Sequence, residues 1–190
     1  MLKRIAILLC VFSSALHAAN QSDLDKIAKL NKKAAAKGLD LSNTDLRAYQ
    51  FNTDKVDLRN ANLSHSNLAR IDFKKMNLTG ADLSYSNLQN ANLNDADLTN
   101  ANLEHADLSN ATLDRANLSN ARLVFSSLTG ASLQLANLNS ANFTCANFNN
   151  ANLTKAIFSQ ANISSATFIN TVTTDILNYD SVTDERVGCN

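Results

Sequence analysis

The chain has 190 residues, 45% of them apolar and 18% charged, with no proline, no tryptophan, four glycines and three cysteines. One domain is the expectation at this length, and the apolar share excludes a disordered chain. The 17 basic and 17 acidic residues cancel, which removes the broad positive field of a non-specific nucleic-acid binder, and no apolar run approaches the roughly 20 residues that span a bilayer.

Met1 to Ala19 has the three-part layout of a secretory signal peptide: Lys3 and Arg4, then the apolar run Ile5 to Phe12, then small residues ending in Ala18-Ala19. Cleavage after Ala18 or Ala19 is expected, and it places the mature chain in the periplasm or outside the cell. A short buried N-terminal helix is the alternative. Leu9 is too large to precede Cys10 in a lipidation motif. Residues 20–38 read as a short capping α-helix. Ser22 and Asp25 form a capping-box pattern, Leu24, Ile27, Leu30 and Ala34 recur at helical spacing, and Gly38 supplies a stop.

From Val56 to Asn170 the chain divides without a gap into units of five, each centred on a large apolar residue: Leu58, Leu63, Leu68, Phe73, Leu78 and onward to Phe158, Ile163 and Phe168. A small residue stands two places before most centres, with Asn or Asp usually between them. On a helix, positions five apart rotate by roughly 140°, so the leucines would scatter around the cylinder. On one continuous strand an odd spacing would put them on alternating faces. A strand of three residues, small-in, polar-out and large-in, followed by a two-residue corner satisfies both constraints. The units Ala61-Asn62-Leu63-Ser64-His65, Ala81-Asp82-Leu83-Ser84-Tyr85 and Ala116-Asn117-Leu118-Ser119-Asn120 resemble the A(D/N)LXX pattern of pentapeptide-repeat proteins. The resemblance implies an all-β solenoid: a right-handed quadrilateral β-helix with four pentapeptides per coil.

The repeat continues upstream with centres at Leu41, Leu46 and Phe51, so the solenoid is expected over 39–170. The step of seven from Phe51 to Leu58 marks Asp54-Lys55 as a two-residue insertion, expected to form a bulge. Thr173 occupies a central position, which ends the solenoid near Asn170. Residues 171–190 are then a C-terminal cap or tail in which Ile176, Leu177, Tyr179, Val182 and Val187 cover the last coil. Cys145 and Cys189 remain after signal cleavage; in an oxidising compartment they can pair, and two free thiols are the alternative.

Residues 20 apart should stack on one side. One corner column reads His65, Tyr85, His105, Phe125, Cys145, Ser165, and Val124 beside Phe125 is expected to face outward as well. This aromatic column is either a contact stripe or a ladder of like side chains that only stabilises the rod. A column of Lys75, Asp95, Arg115, Leu135, Lys155 and Asp175 sets opposite charges side by side for surface pairing. The acceptor triplets at Asn62, Asn77, Asn117 and Asn152 arise from the repeat itself and are discounted as glycosylation sites. His65 and His105 stand two coils apart with Tyr85 between them, which argues against a metal site. The sequence has no nucleophile elbow, P-loop, HExxH or CxxC, so no catalytic, cofactor-binding or metal-binding residues are assigned and an enzyme is not expected. The reading is a non-enzymatic exported rod, a scaffold for protein interaction or a structural element, with a protein partner that a second copy would supply most simply. No nucleic acid, cofactor or membrane span is expected. The alternative comes from the resemblance: quinolone-resistance relatives mimic DNA with an acidic rod and bind gyrase. It would apply only to an unexported chain, and here Asp57 and Asp97 alternate with Asn77 and Asn117.

Overall fold

The computed structural model describes residues 38, 40–47, 49–51, 57–179 and 189. The expected signal peptide and capping helix, Asp54-Lys55, Val182 and Val187 lie outside the described residues.

From Asn62 on, parallel bridges join outward residues to those 20 positions further along: Asn62 to Asp82, Asp82 to Asn102, Asn102 to Arg122, and so around every side to Ile157 with Leu177. Twenty residues in units of five make a coil of four sides, each side a three-residue segment. The central residues from Leu58 to Phe158 are wholly buried, and alanines fill most of the small inward positions. Coils follow one another at the close spacing of a β-ladder, so the inward positions of successive coils form one continuous core.

The five-residue period closes because the ladders and the corner turn give acceptors to the amides of a regular unit. In the unit that carries Tyr85, the Asp82 amide donates back to the Ala61 carbonyl (2.9 Å) and the Leu83 amide donates forward to the Asn102 carbonyl (2.7 Å). The Tyr85 amide reaches the Glu104 carbonyl (2.9 Å), and the Ser86 amide closes the corner on the Leu83 carbonyl (3.3 Å). That leaves the first corner amide, Ser84, with no backbone acceptor; it donates to Asp82 Oδ1 at 3.0 Å. The Asn or Asp of each unit is therefore the start of an Asx turn, and it supplies the one acceptor the backbone lacks. Its other side-chain atoms bond along the column, as Asn102 Nδ2 does to Asp82 Oδ1 (3.1 Å) and Asn137 Nδ2 to Asn117 Oδ1 (3.2 Å).

Three units that lack the Asx residue borrow it from the coil below. Where Thr112 stands, the Asp114 amide donates to Asn94 Oδ1 (2.9 Å). Where Ser132 stands, the Gln134 amide donates to Asp114 Oδ1 (3.0 Å). Where Thr167 stands, the Ile169 amide donates to Asn149 Oδ1 (2.8 Å).

At the N-terminal end Asp40 bridges Asn62 and Asp45 bridges Asn67. These partners are two residues further apart in sequence than elsewhere, so the ladder re-forms in register across the insertion. Leu41 and Leu46 are fully buried, and Phe51 packs on Phe73 with ring centroids 5.1 Å apart. At the other end the solenoid does not stop near Asn170 as the sequence suggested. Asn152 bridges Val172, Ile157 bridges Leu177, and Asp175 takes the corner conformation, while the positive φ of Asn178, at a central position, ends the regular side there. The reason is that the ladder needs only backbone partners on the coil below; Thr173 loses the buried centre but not the bridges. Of the residues expected to cover this end, Ile176 is partly buried against the core and Tyr179 meets Phe158 edge-on, while Leu177 is exposed. Phenylalanine replaces leucine at several centres here, and Phe148 and Phe168 stack with centroids 5.0 Å apart.

Candidate functional site: the aromatic corner

Each corner is a four-residue turn, closed for example by the Ala61 amide on the Leu58 carbonyl (3.0 Å), and its third residue has positive φ. That conformation swings the second corner side chain away from the rod. His65, Tyr85, His105 and Phe125 hold it at φ of 56, 56, 57 and 58°. All four project from the same corner into solvent, with Tyr85 52% and Phe125 37% exposed. Their rings lie nearly parallel: His65 on Tyr85 at 4.8 Å and 4°, Tyr85 on His105 at 4.6 Å and 14°, His105 on Phe125 at 4.9 Å and 9°. The spacing is that of the ladder itself, so the backbone sets the stack.

Val124 does not belong to this surface. It is only 8% exposed, and Ser64, Ser84 and Ser164 of the same column are buried too. The first corner residue lacks the positive φ of the second, and in this column it is buried wherever it is Ser or Val. Sequence reasoning sorted the three-residue side into inward and outward positions but had no rule for this one.

Three buried serines, Ser66, Ser86 and Ser126, directly follow His65, Tyr85 and Phe125. Ser86 Oγ donates to the Leu83 carbonyl (2.6 Å) and Ser126 Oγ to the Leu123 carbonyl (2.8 Å), which fastens the turns that carry Tyr85 and Phe125. Ser66 Oγ donates instead to the Leu41 carbonyl on the preceding coil (2.8 Å). Serine in place of alanine at these inward positions was a signal available in the sequence. Beside the stack, Arg122 Nε donates to Glu104 Oε2 (2.8 Å). That hydrogen bond holds the Glu104 carboxyl below its ordinary range, with a smaller contribution from His105. Asp107 is also lowered: burial pushes it up, but hydrogen bonds from Ser109 and Gln89 outweigh burial.

The column continues from Phe125 to Cys145, which is disulfide-bonded to Cys189 with Cα atoms 5.7 Å apart. The chain end is thus fastened to the aromatic corner one coil beyond Phe125. On the diagonally opposite corner, Arg115 and Asp95 pair at 2.7 Å and Leu135 is 51% exposed. Among the described residues no group of three His, Cys, Asp or Glu is placed to hold a metal ion, and no helix is long and apolar enough to cross a membrane.

No curated protein matches the sequence. Among solved structures, a pentapeptide repeat protein of the Arabidopsis thaliana thylakoid lumen is similar at 28% identity, with a TM-score of 0.44 over 54% of this chain and 68% of that one. A pentapeptide repeat protein of Nostoc PCC 7120 is 34% identical, with a TM-score of 0.45 over 54% of this chain and 83% of its own. QnrB1, a plasmid-mediated fluoroquinolone resistance protein, is 14% identical, with a TM-score of 0.34 over 71% of this chain and 76% of that one. The family model for pentapeptide repeats matches residues 57–95, 96–134 and 131–170. Proteins of that family fold as right-handed quadrilateral β-helices, the architecture of four-sided coils found here. Because the matched segments take in more than half of the chain, and their unit is the five-residue side and corner described above, this chain belongs to the pentapeptide repeat family.

Proposed function

We propose that this protein is an exported, non-enzymatic rigid rod whose aromatic corner is a contact face for a protein partner. The observation that carries the reading is the outward stack His65, Tyr85, His105 and Phe125, four rings in unbroken contact along one corner. Exposed aromatic residues are enriched in protein interfaces, and a rod held by continuous ladders presents them without an ordering cost at the moment of binding. Export is supported by the signal-peptide layout of residues 1–19 and by the Cys145–Cys189 bond, since disulfides persist in oxidising compartments. Residues 20–38 would then cap the first coil and the tail after Asn178 the last. The acidic-rod alternative finds no continuous column of carboxylates, because Asn77, Asn117 and Asn137 interrupt Asp57 and Asp97.

The test is Tyr85→Ala combined with Phe125→Ala. The variant should lose partner capture in the exported fraction while its thermal stability stays nearly intact. Loss of a few tenths to about 1 kcal/mol per stacked pair with unchanged capture would reduce the column to a stabilising ladder.

A further inference from the structure

Both faces of Tyr85 and His105, and the facing sides of His65 and Phe125, are taken up within the stack. A ligand that binds by lying on a ring face, such as a sugar, a nucleobase or a quaternary ammonium, finds none free on Tyr85 or His105, the two central rings. What the corner offers is a row of ring edges stepping by 4.8, 4.6 and 4.9 Å. A partner can engage the whole row only if its own groups repeat at that step. Same-face side chains of an extended strand recur at about 6.6 to 6.8 Å, helical turns at about 5.4 Å and polyproline turns at about 9.3 Å. Each falls out of register within three steps, whereas a stacked β-array repeats at about 4.7 to 4.9 Å.

Of the charged groups on the two sides that flank the stack, Glu104 and Arg122 neutralise each other, while Asp82 is hydrogen-bonded by Asn102 and Asp107 by Gln89 and Ser109. We infer that the partner of the aromatic corner is a second copy of this chain, lying side by side with its rod antiparallel and its stack in register. This rests on the corner being a contact face. The two-fold axis falls between Tyr85 and His105, which sets the Tyr85 hydroxyl of one copy against a His105 edge of the other and keeps the His65 rings apart.

The test uses the full mature chain, with sedimentation across a concentration series and with Phe125 replaced by photoreactive benzoylphenylalanine. The expected result is a dimer that raised salt does not dissociate, with chain-to-chain cross-links mapping near His65. Tyr85→Ala should raise the dimer dissociation constant at least about tenfold, and Leu135→Ala on the opposite corner should leave it within about twofold. Cross-links mapping far from His65, or a dimer broken by Leu135→Ala and not by Tyr85→Ala, overturns the inference. If the chain stays monomeric and position 125 links to a different exported protein, the second copy is wrong and the contact face stands. A monomer with no cross-link, in which Tyr85→Ala lowers only stability, defeats both.

Discussion

A residue with positive φ crowds its Cβ against the backbone, and a branched Cβ makes the crowding worse. The second corner position of this rod lies at φ of 54 to 62° wherever a described non-glycine residue occupies it, and it holds Asn, Asp, His, Arg, Lys, Tyr, Phe, Leu, Ser, Cys and Gln. Among the described residues valine, isoleucine and threonine do not occur there, although the first corner position accepts Val124, Thr129 and Ile169. The aromatic stack obeys the same restriction, since Tyr, His and Phe are unbranched at Cβ. Leu135, exposed at φ 60°, isolates the effect from packing. Leu135→Val should lower unfolding free energy by about 1 to 2 kcal/mol, and Leu135→Gly should change it by less than about 1 kcal/mol, both read from urea melts. A neutral Leu135→Val would show that the corner tolerates branching and that its composition has another cause. This column was legible in the sequence as a column. Its outward direction depended on the sign of φ, which spacing alone does not reveal, and Val124 was misplaced for that reason.

Within one unit, the first corner amide decides which residue types the side can carry. The Asn or Asp of the family pattern was visible at once, and its purpose was not, because an acceptor two residues away along the chain has meaning only once the turn is built. The relay from the coil below is also present in the sequence, as an Asn or Asp 18 residues before each of Thr112, Ser132 and Thr167. It becomes readable only when 20 residues are known to make a coil. Asn139 stands in the same relation to Ile157, yet its Oδ1 is buried with no partner; nothing in the local geometry explains why that relay stays open. Asn94→Ala should strand the Asp114 amide and cost about 1 to 3 kcal/mol in equilibrium unfolding. Adding Thr112→Asn should restore most of the loss by giving that amide an acceptor two residues away. If the double variant is no more stable than Asn94→Ala alone, the Asx acceptor is not what the corner requires.

Across the whole rod, the sequence made the continuous core and the period of five plain, while the four sides and the handedness came from the resemblance to a family. The bridges at a separation of 20 supply the four sides directly, and they show why the end was misjudged: a coil is copied from the backbone below it even where its apolar centre is missing. The same register has a consequence for how such a chain can change length. Every unit buries the same two residues, so loss of one unit leaves the core intact but turns everything beyond it through a quarter revolution. Deleting Ala91 to Asp95 should keep a single cooperative melt while setting His105 and Phe125 on the corner next to that of His65 and Tyr85, which splits the stripe. Deleting the full coil Ser86 to His105 should instead bring Phe125 directly onto Tyr85 and leave a shorter, unbroken stripe. Circular dichroism with a cross-linking probe at Tyr85 separates the two, and equal behaviour of both deletions would show that the corner's phase carries no function. Changes by whole coils preserve a surface column, and changes by single units redistribute it, so the length of such a rod and the address of its side chains are set by the same count.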